Sequence, residues 1–193
     1  MKLPSINNIP LSYIQSVVKI DASSPSGLTW LTRTNVTNVT NAWNNAWNNR
    51  CANKKAGNKH IDKENGYQSW QIYITYNGKP KNLKCSRVIF LLHNGYLNTC
   101  KEVDHIDGNS LNNNPLNLRE SNRFQNSYNS KISKINTSGH KGVYWNKEND
   151  KWKVKICKNG KQYFFGYYVN KDDAIKVAIK ARKKLHGTFG RNK

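Results

Sequence analysis

Residues 103–126 read VDHIDGNSLNNNPLNLRESNRFQN. Their types suit the hydrolysis of a phosphodiester, which needs an activated water and charge neutralisation at the phosphate. A neutral imidazole, with an ordinary pKa near ~6.5, accepts a proton from water at physiological pH. A hard divalent cation neutralises phosphate charge and takes oxygen ligands such as an Asp carboxylate or an Asn carbonyl. Asp104 and His105 place one group of each kind at one strand end. Neighbouring strand residues point to opposite faces, so base and ligand need not compete for one metal. LRESNRFQN reads as a short helix capped by Ser121, with Asn126 on it as a second oxygen ligand. Taken alone, Asp104-His105 fits an ordinary surface turn, with Asp107 in the DGN as a turn former. With Asn126 as a second oxygen donor and a basic chain around it, the pair also suits catalysis. His93 follows an apolar run and reads as structural.

The composition points the same way. The 193 residues contain 32 Lys and Arg against 11 Asp and Glu, a formal net charge of +21. Such an excess calls for a polyanionic partner, nucleic acid or an anionic membrane. No apolar run approaches the roughly 20 residues of a spanning helix, and the N-terminus lacks the apolar core of a signal peptide. Double-stranded DNA is therefore the expected partner and the cytoplasm of a bacterial or phage-infected cell the expected location. No membrane and no obligate protein partner are expected. Cys51, Cys85, Cys100 and Cys157 are scattered without a C-x-x-C pair. They read as reduced thiols, and no zinc is expected. The N-x-[ST] sequons at Asn35, Asn38 and Asn136 reflect an Asn-rich composition.

The elements around the motif must position it. Residues 131–193 hold 17 basic and four acidic residues, and SKISKINTSGH (130–140) reads as a linker. Three segments follow: 1–130, containing a compact catalytic motif at about 101–130; a linker at 131–140; and a small domain at 141–193. In the first, strands are expected at 17–21 and 27–32, and NVTNVTNAWNNAWNNR (35–50) as mostly loop, with Trp43 and Trp47 marking a short helix. Trp70, Ile72, Ile74 and Tyr76 alternate with polar neighbours, and Asn77-Gly78 is a tight hairpin turn into a strand at about 82–85. Ser86 is expected to cap a buried helix, RVIFLLH, ended by Asn94-Gly95. In the last segment, KGVYW, KWKVKIC and KQYFFGYY are expected strands, with Asn159-Gly160 turning between the second and third. Trp152, Val154 and Ile156 share one strand face, and Lys151, Lys153 and Lys155 the other. Trp152 is expected in the core. Asn170 caps a helix whose stripe is Ala174, Ile175, Ala178, Ile179 and Leu185, with Gly187 as terminator. The fold class is α+β: a mixed domain, then a three-stranded antiparallel sheet on one helix.

The quoted stretch resembles the HNH motif of phage and intron-encoded homing endonucleases, whose metal site is a ββα unit. The resemblance implies His105 as general base and Asp104 and Asn126 as ligands of one Mg²⁺ or Mn²⁺ ion. It implies Asn117 as the middle asparagine that braces the loop and orients the histidine. SRVIFLLHNG resembles a family helix that usually begins His-Arg; Ser86 replaces that histidine, and Arg87 remains as a phosphate contact. The likeness covers about residues 66–130 well and the first 65 only loosely. Residues 138–190 are similar to the DNA-binding domain of the plant APETALA and ethylene-response factors, with Gly142-Val143, Lys151-Trp152, Phe165-Gly166 and His186-Gly187 as landmarks. In that family the sheet enters the major groove. Where the plant pattern has arginines, this chain has Lys141, Tyr144, Asn146 and Cys157, so the plant target sequence is not carried over. DNA contacts are expected from Arg87, Arg119, Arg123, Lys141, Tyr144, Asn146, Lys151, Lys153 and Lys155. A rival from another class is a non-catalytic DNA-binding regulator with a silent nuclease fold. The complete Asp-His-Asn-Asn set weighs against it.

Overall fold

The computed structural model describes residues 4–34 and 41–192. The described residues form a mixed α+β chain with five α-helices and small antiparallel sheets. It divides into two compact units, Met1–Glu120 and Ser121–Lys193.

In the first unit, β1 (Ser5–Ile6) and β2 (Ile9–Pro10) make a small ribbon, followed by α1 (Leu11–Val17). Ile14 and Val17, three apart on one helix face, are buried, which favours helix where an earlier-starting strand was expected. Strands β3 (Val18–Ile20) and β4 (Leu28–Trp30) then pair. Helix α2 (Asn41–Cys51) replaces most of the expected loop; residues 35–40, with the sequons at Asn35 and Asn38, lie outside the described residues. Asparagine is a modest helix former, so tertiary contacts must hold α2. Trp47 packs edge-on against Trp30 at 5.5 Å, and the Arg33 guanidinium lies 3.8 Å over its ring. Asn48 exchanges two hydrogen bonds with the Arg33 backbone.

Strands β5 (Asn58–Ile61), β6 (Gln68–Tyr76) and β7 (Lys79–Lys84) form a three-stranded sheet. Asn77 and Gly78 take φ of 49° and 71° in the β6–β7 turn, as Asn-Gly predicts, and the returning strand begins earlier than expected. Helix α3 (Cys85–Asn94) starts without a side-chain cap: Lys84 is its N-cap, and Ser86 is buried inside its first turn rather than capping it. Gly95, at φ 73°, ends it. Val88, Ile89 and Leu91 of α3 are fully buried among Ile6, Ile14, Leu28 and Ile72, so this helix is the core of the unit. The unit closes with a ribbon of β8 (Glu102–His105) and β9 (Leu118–Ser121), joined by a loop that ends in a single 3₁₀ turn, Pro115–Asn117. The division between units falls inside β9.

The second unit opens with α4 (Arg123–Asn129). Its cap is Asn122, one residue later than expected: Asn122 accepts from Gln125 N, and Gln125 returns a bond to Asn122 N. Ser121 belongs to the strand. Residues 131–140 contain ordered turns. Asn136 Oδ1 accepts from Ser138 Oγ and Gly139 N, and Asn136 Nδ2 donates to His140 O. Strands β10 (Val143–Asn146), β11 (Lys151–Lys158) and β12 (Lys161–Tyr168) follow in antiparallel order, and α5 (Lys171–His186) backs them. Val143, Val154 and Ile156 pack on Ala174, Ala178 and Ala181, with Trp152 partly buried at the edge. Ile179 lies outside the stripe and is exposed. Asn170 caps α5 through Asp172 N at 2.8 Å.

Candidate active site

His105 ends β8 with its ring buried. Its Nε2 lies 3.0 Å from Asn113 Oδ1, and Asn113 is buried as well. The amide's other end donates from Nδ2 to the Ser26 carbonyl at 2.9 Å. That carbonyl accepts only, so it fixes which end of the amide faces the ring. An accepting Oδ1 then requires Nε2 to carry the proton, and the lone pair of the neutral ring sits on Nδ1. The tautomer is thus set by a backbone carbonyl far away in sequence. Gly27, at φ 81°, keeps that segment close: a Cβ there would stand 3.2 Å from Asn113 Cβ and 2.7 Å from Ile89 Cδ1.

Asn113 is absent from the candidates drawn from the sequence. The expected orienting residue, Asn117, has a different set of partners. Its Nδ2 donates to Asp107 Oδ1 and Asn112 O, and its Oδ1 accepts from Asp107 N. Asp107 also accepts from Asn109 N and Asn112 Nδ2. Burial alone would raise the Asp107 pKa; these hydrogen bonds, with His105 nearby, outweigh it and lower it. Asp107 therefore remains ionised as the hub of the β8–β9 loop. Asn117 laces that loop while Asn113 meets the ring.

Asp104 is buried, and Arg119 on β9 binds its Oδ2 through Nε (3.0 Å) and Nη2 (2.9 Å). A buried carboxylate needs such a partner. Arg119, expected on DNA phosphate, is engaged within the protein. Arg87 is as well: its Nη1 donates to Lys101 O at 3.0 Å, and burial lowers its pKa despite Glu102 and Glu120 nearby.

In the second unit, Asn126 lies on α4, whose far end is firmly held. The Tyr128 ring stacks on His186 with centroids 3.8 Å apart and 7° between planes. Its hydroxyl donates to Asn159 Oδ1 and accepts from Asn159 N. The Tyr128 carbonyl accepts from Arg182 Nη2 and Arg191 N. Lys141, expected on DNA, turns its ammonium to the carbonyls of Tyr128 and Ser130. Burial, with Arg182 and Arg191 close by, pushes its pKa down to about 8. Arg123 is exposed at the start of α4. Tyr144, Lys153 and Lys155 lie together on the sheet face away from α5, around a groove of 370 Å³. Lys151 is exposed at the start of β11, and Asn146, paired with it, accepts from Asn149 N.

The donor chemistry fits a hard divalent ion better than a soft one. Among the described residues no three His, Cys, Asp or Glu side chains converge on one point. The residue types of the motif, carboxylate and amide oxygens, are those that Mg²⁺ accepts. The cysteines are free thiols, and burial raises the Cys85 pKa to about 12.

Residues 84–128 match the HNH endonuclease family. No solved structure gives a significant match. Protein 3.8 of Escherichia phage T7 is 41% identical over 92 residues, covering 46% of this chain and 73% of that protein. With the Asp104–His105 pair and its loop inside the matched span, the chain carries an HNH endonuclease domain and belongs to the same family as that phage protein.

Proposed function

We propose that this protein is a metal-dependent DNA endonuclease of the homing type, cutting phosphodiester bonds in double-stranded DNA. The observation that carries the reading is the relay from the Ser26 carbonyl through Asn113 to His105, which protonates Nε2 and makes Nδ1 the basic nitrogen. His105 takes a proton from water at Nδ1 as the water attacks in line with the departing 3′ oxygen. Asn113 holds the ring, and Asn117 with Asp107 keeps the loop in shape behind it. Arg119 binds and orients the Asp104 carboxylate. Asp104, with Asn126 on the strength of the motif, would hold one Mg²⁺ or Mn²⁺ ion, which supplies charge neutralisation at the phosphate. The products carry 5′-phosphate and 3′-hydroxyl ends.

The second unit is the proposed target-binding module, like the plant domain it resembles, with Lys151, Lys153 and Lys155 toward DNA and Arg123 as a further contact. The motif's likeness to intron-encoded enzymes supports the homing assignment. The test is incubation of the full chain with supercoiled plasmid in Mg²⁺ and, separately, in excess EDTA. Open-circle or linear product in Mg²⁺ alone is the expected result. Intact plasmid in both would favour the silent, DNA-binding alternative.

A further inference from the structure

Phe164 and Tyr167 are three residues apart on β12, a spacing that puts side chains on opposite faces of a regular strand. Here they share a face. The pairing runs Val154 to Gly166 and then Lys155 to Phe164, so Phe165 is an extra residue in β12. This bulge, with Gly166 at φ 113°, re-aims the strand. Phe165 and Tyr168 pack toward the core, and Phe164 and Tyr167 stand on the free face. The outcome is a cluster of large exposed rings: Phe164 at 54%, Tyr144 at 51% and Tyr167 at 40%. Tyr144 and Tyr167 are the two cross-strand neighbours of Lys153, one on each side. The Lys153 ammonium lies 5.9 Å from the Phe164 centroid and 5.8 Å from that of Tyr167. Lys155 adjoins them, and β10, β11 and β12 contain no Asp or Glu.

Phosphate binding alone needs lysines and no rings. Major-groove readout relies chiefly on arginine forks; β10, β11 and β12 contain no Arg, and the groove on this face has Gln162 as its amide. Exposed rings interleaved with lysines suit unpaired bases, whose π faces stack on aromatics while the backbone follows the positive charge. We propose that the free face of the C-terminal sheet is a stacking platform for the unpaired bases of single-stranded DNA. Phe164, Tyr167 and Tyr144 are its base-stacking residues, and Lys153 and Lys155 its backbone contacts. The proposal deepens the target-binding role given to this module, and it concerns binding, not cleavage.

The test is fluorescence anisotropy of the full chain in EDTA with labelled oligothymidylate, a duplex of equal length, and oligouridylate. The variants are Phe164→Ala/Tyr167→Ala and, as a conservative control, Phe164→Tyr/Tyr167→Phe; the native and melting circular dichroism signals check that each folds. The wild type should bind oligothymidylate at least as tightly as the duplex. The double alanine variant should lose about thirtyfold or more in single-strand affinity while duplex affinity changes by less than about threefold. The control should bind single strands like the wild type. Equal losses on both DNA forms, or no loss on single strands, would overturn the platform. Tighter binding of oligouridylate than of oligothymidylate would overturn the assignment to DNA. Because no metal is present, none of these outcomes depends on whether the chain cleaves DNA.

Discussion

At the residue scale, the proposed chemistry turns on which nitrogen of His105 is basic. Asn113 decides this because its amide is pinned at one end by the Ser26 carbonyl. Asn113→Ala removes the partner that Nε2 has in Asn113 Oδ1. The cleavage rate should fall about 10²-fold, toward the cost of losing a general base, with duplex affinity in EDTA unchanged; wild-type cleavage by this variant would leave the relay without a role. Arg119 offers a second residue-scale test. If it serves Asp104, as its two hydrogen bonds indicate, Arg119→Gln should weaken cleavage while leaving the salt dependence of duplex binding unchanged. A phosphate contact would instead reduce the slope of log K against log [salt] by about 0.9. The place of Asp104 and His105 at a strand end was legible in the sequence because the signal is local. Asn113 was not, since its partner lies 87 residues away and nothing in the run NNN marks the middle residue.

At the element scale, α4 is held by what surrounds Tyr128. Tyr128→Leu removes the stack on His186 and both hydrogen bonds to Asn159. A buried aromatic pair with satisfied polar groups contributes about 1–3 kcal/mol. Hydrogen exchange should therefore show α4 losing protection while the α3 core of the first unit keeps its own. Unchanged protection over residues 123–129 would mean that α4 is held by other contacts. His186 adds a pH dependence. Burial is the main cause lowering its pKa, with Arg182, Lys158 and Lys141 adding to it and the Cys157 carbonyl opposing. The unfolded chain thus takes up the proton first as pH falls through the ordinary histidine range, and the second unit loses stability there. In His186→Gln that part of the pH dependence should vanish from melts between pH 7 and 5. The same contacts explain why the unit boundary was hard to read. Asn-Gly turns and the Asn170 cap are local signals and sit where the sequence places them. The grouping of α4 with the sheet depends on tertiary contacts of one tyrosine, and α2 depends on Trp30 and Arg33.

At the scale of the whole molecule, charge and chemistry are unevenly shared. Residues 131–193 carry 17 basic and four acidic side chains, whereas Asp104 and His105 belong to the first unit. Truncation after Lys134 deletes Asn159, Arg182, His186 and Arg191, which are the partners of Tyr128. The shortened chain should bind duplex with a shallower salt slope, and its α4 should be unprotected, so that it cleaves far less than loss of affinity alone explains. The central claim, that His105 is the general base of an HNH endonuclease, is tested most directly by His105→Ala in the full chain. Single-turnover cleavage of supercoiled plasmid in Mg²⁺ is compared with duplex affinity in EDTA. The account predicts a rate about 10²–10⁴-fold below wild type at the same affinity. Cleavage at the wild-type rate would contradict it.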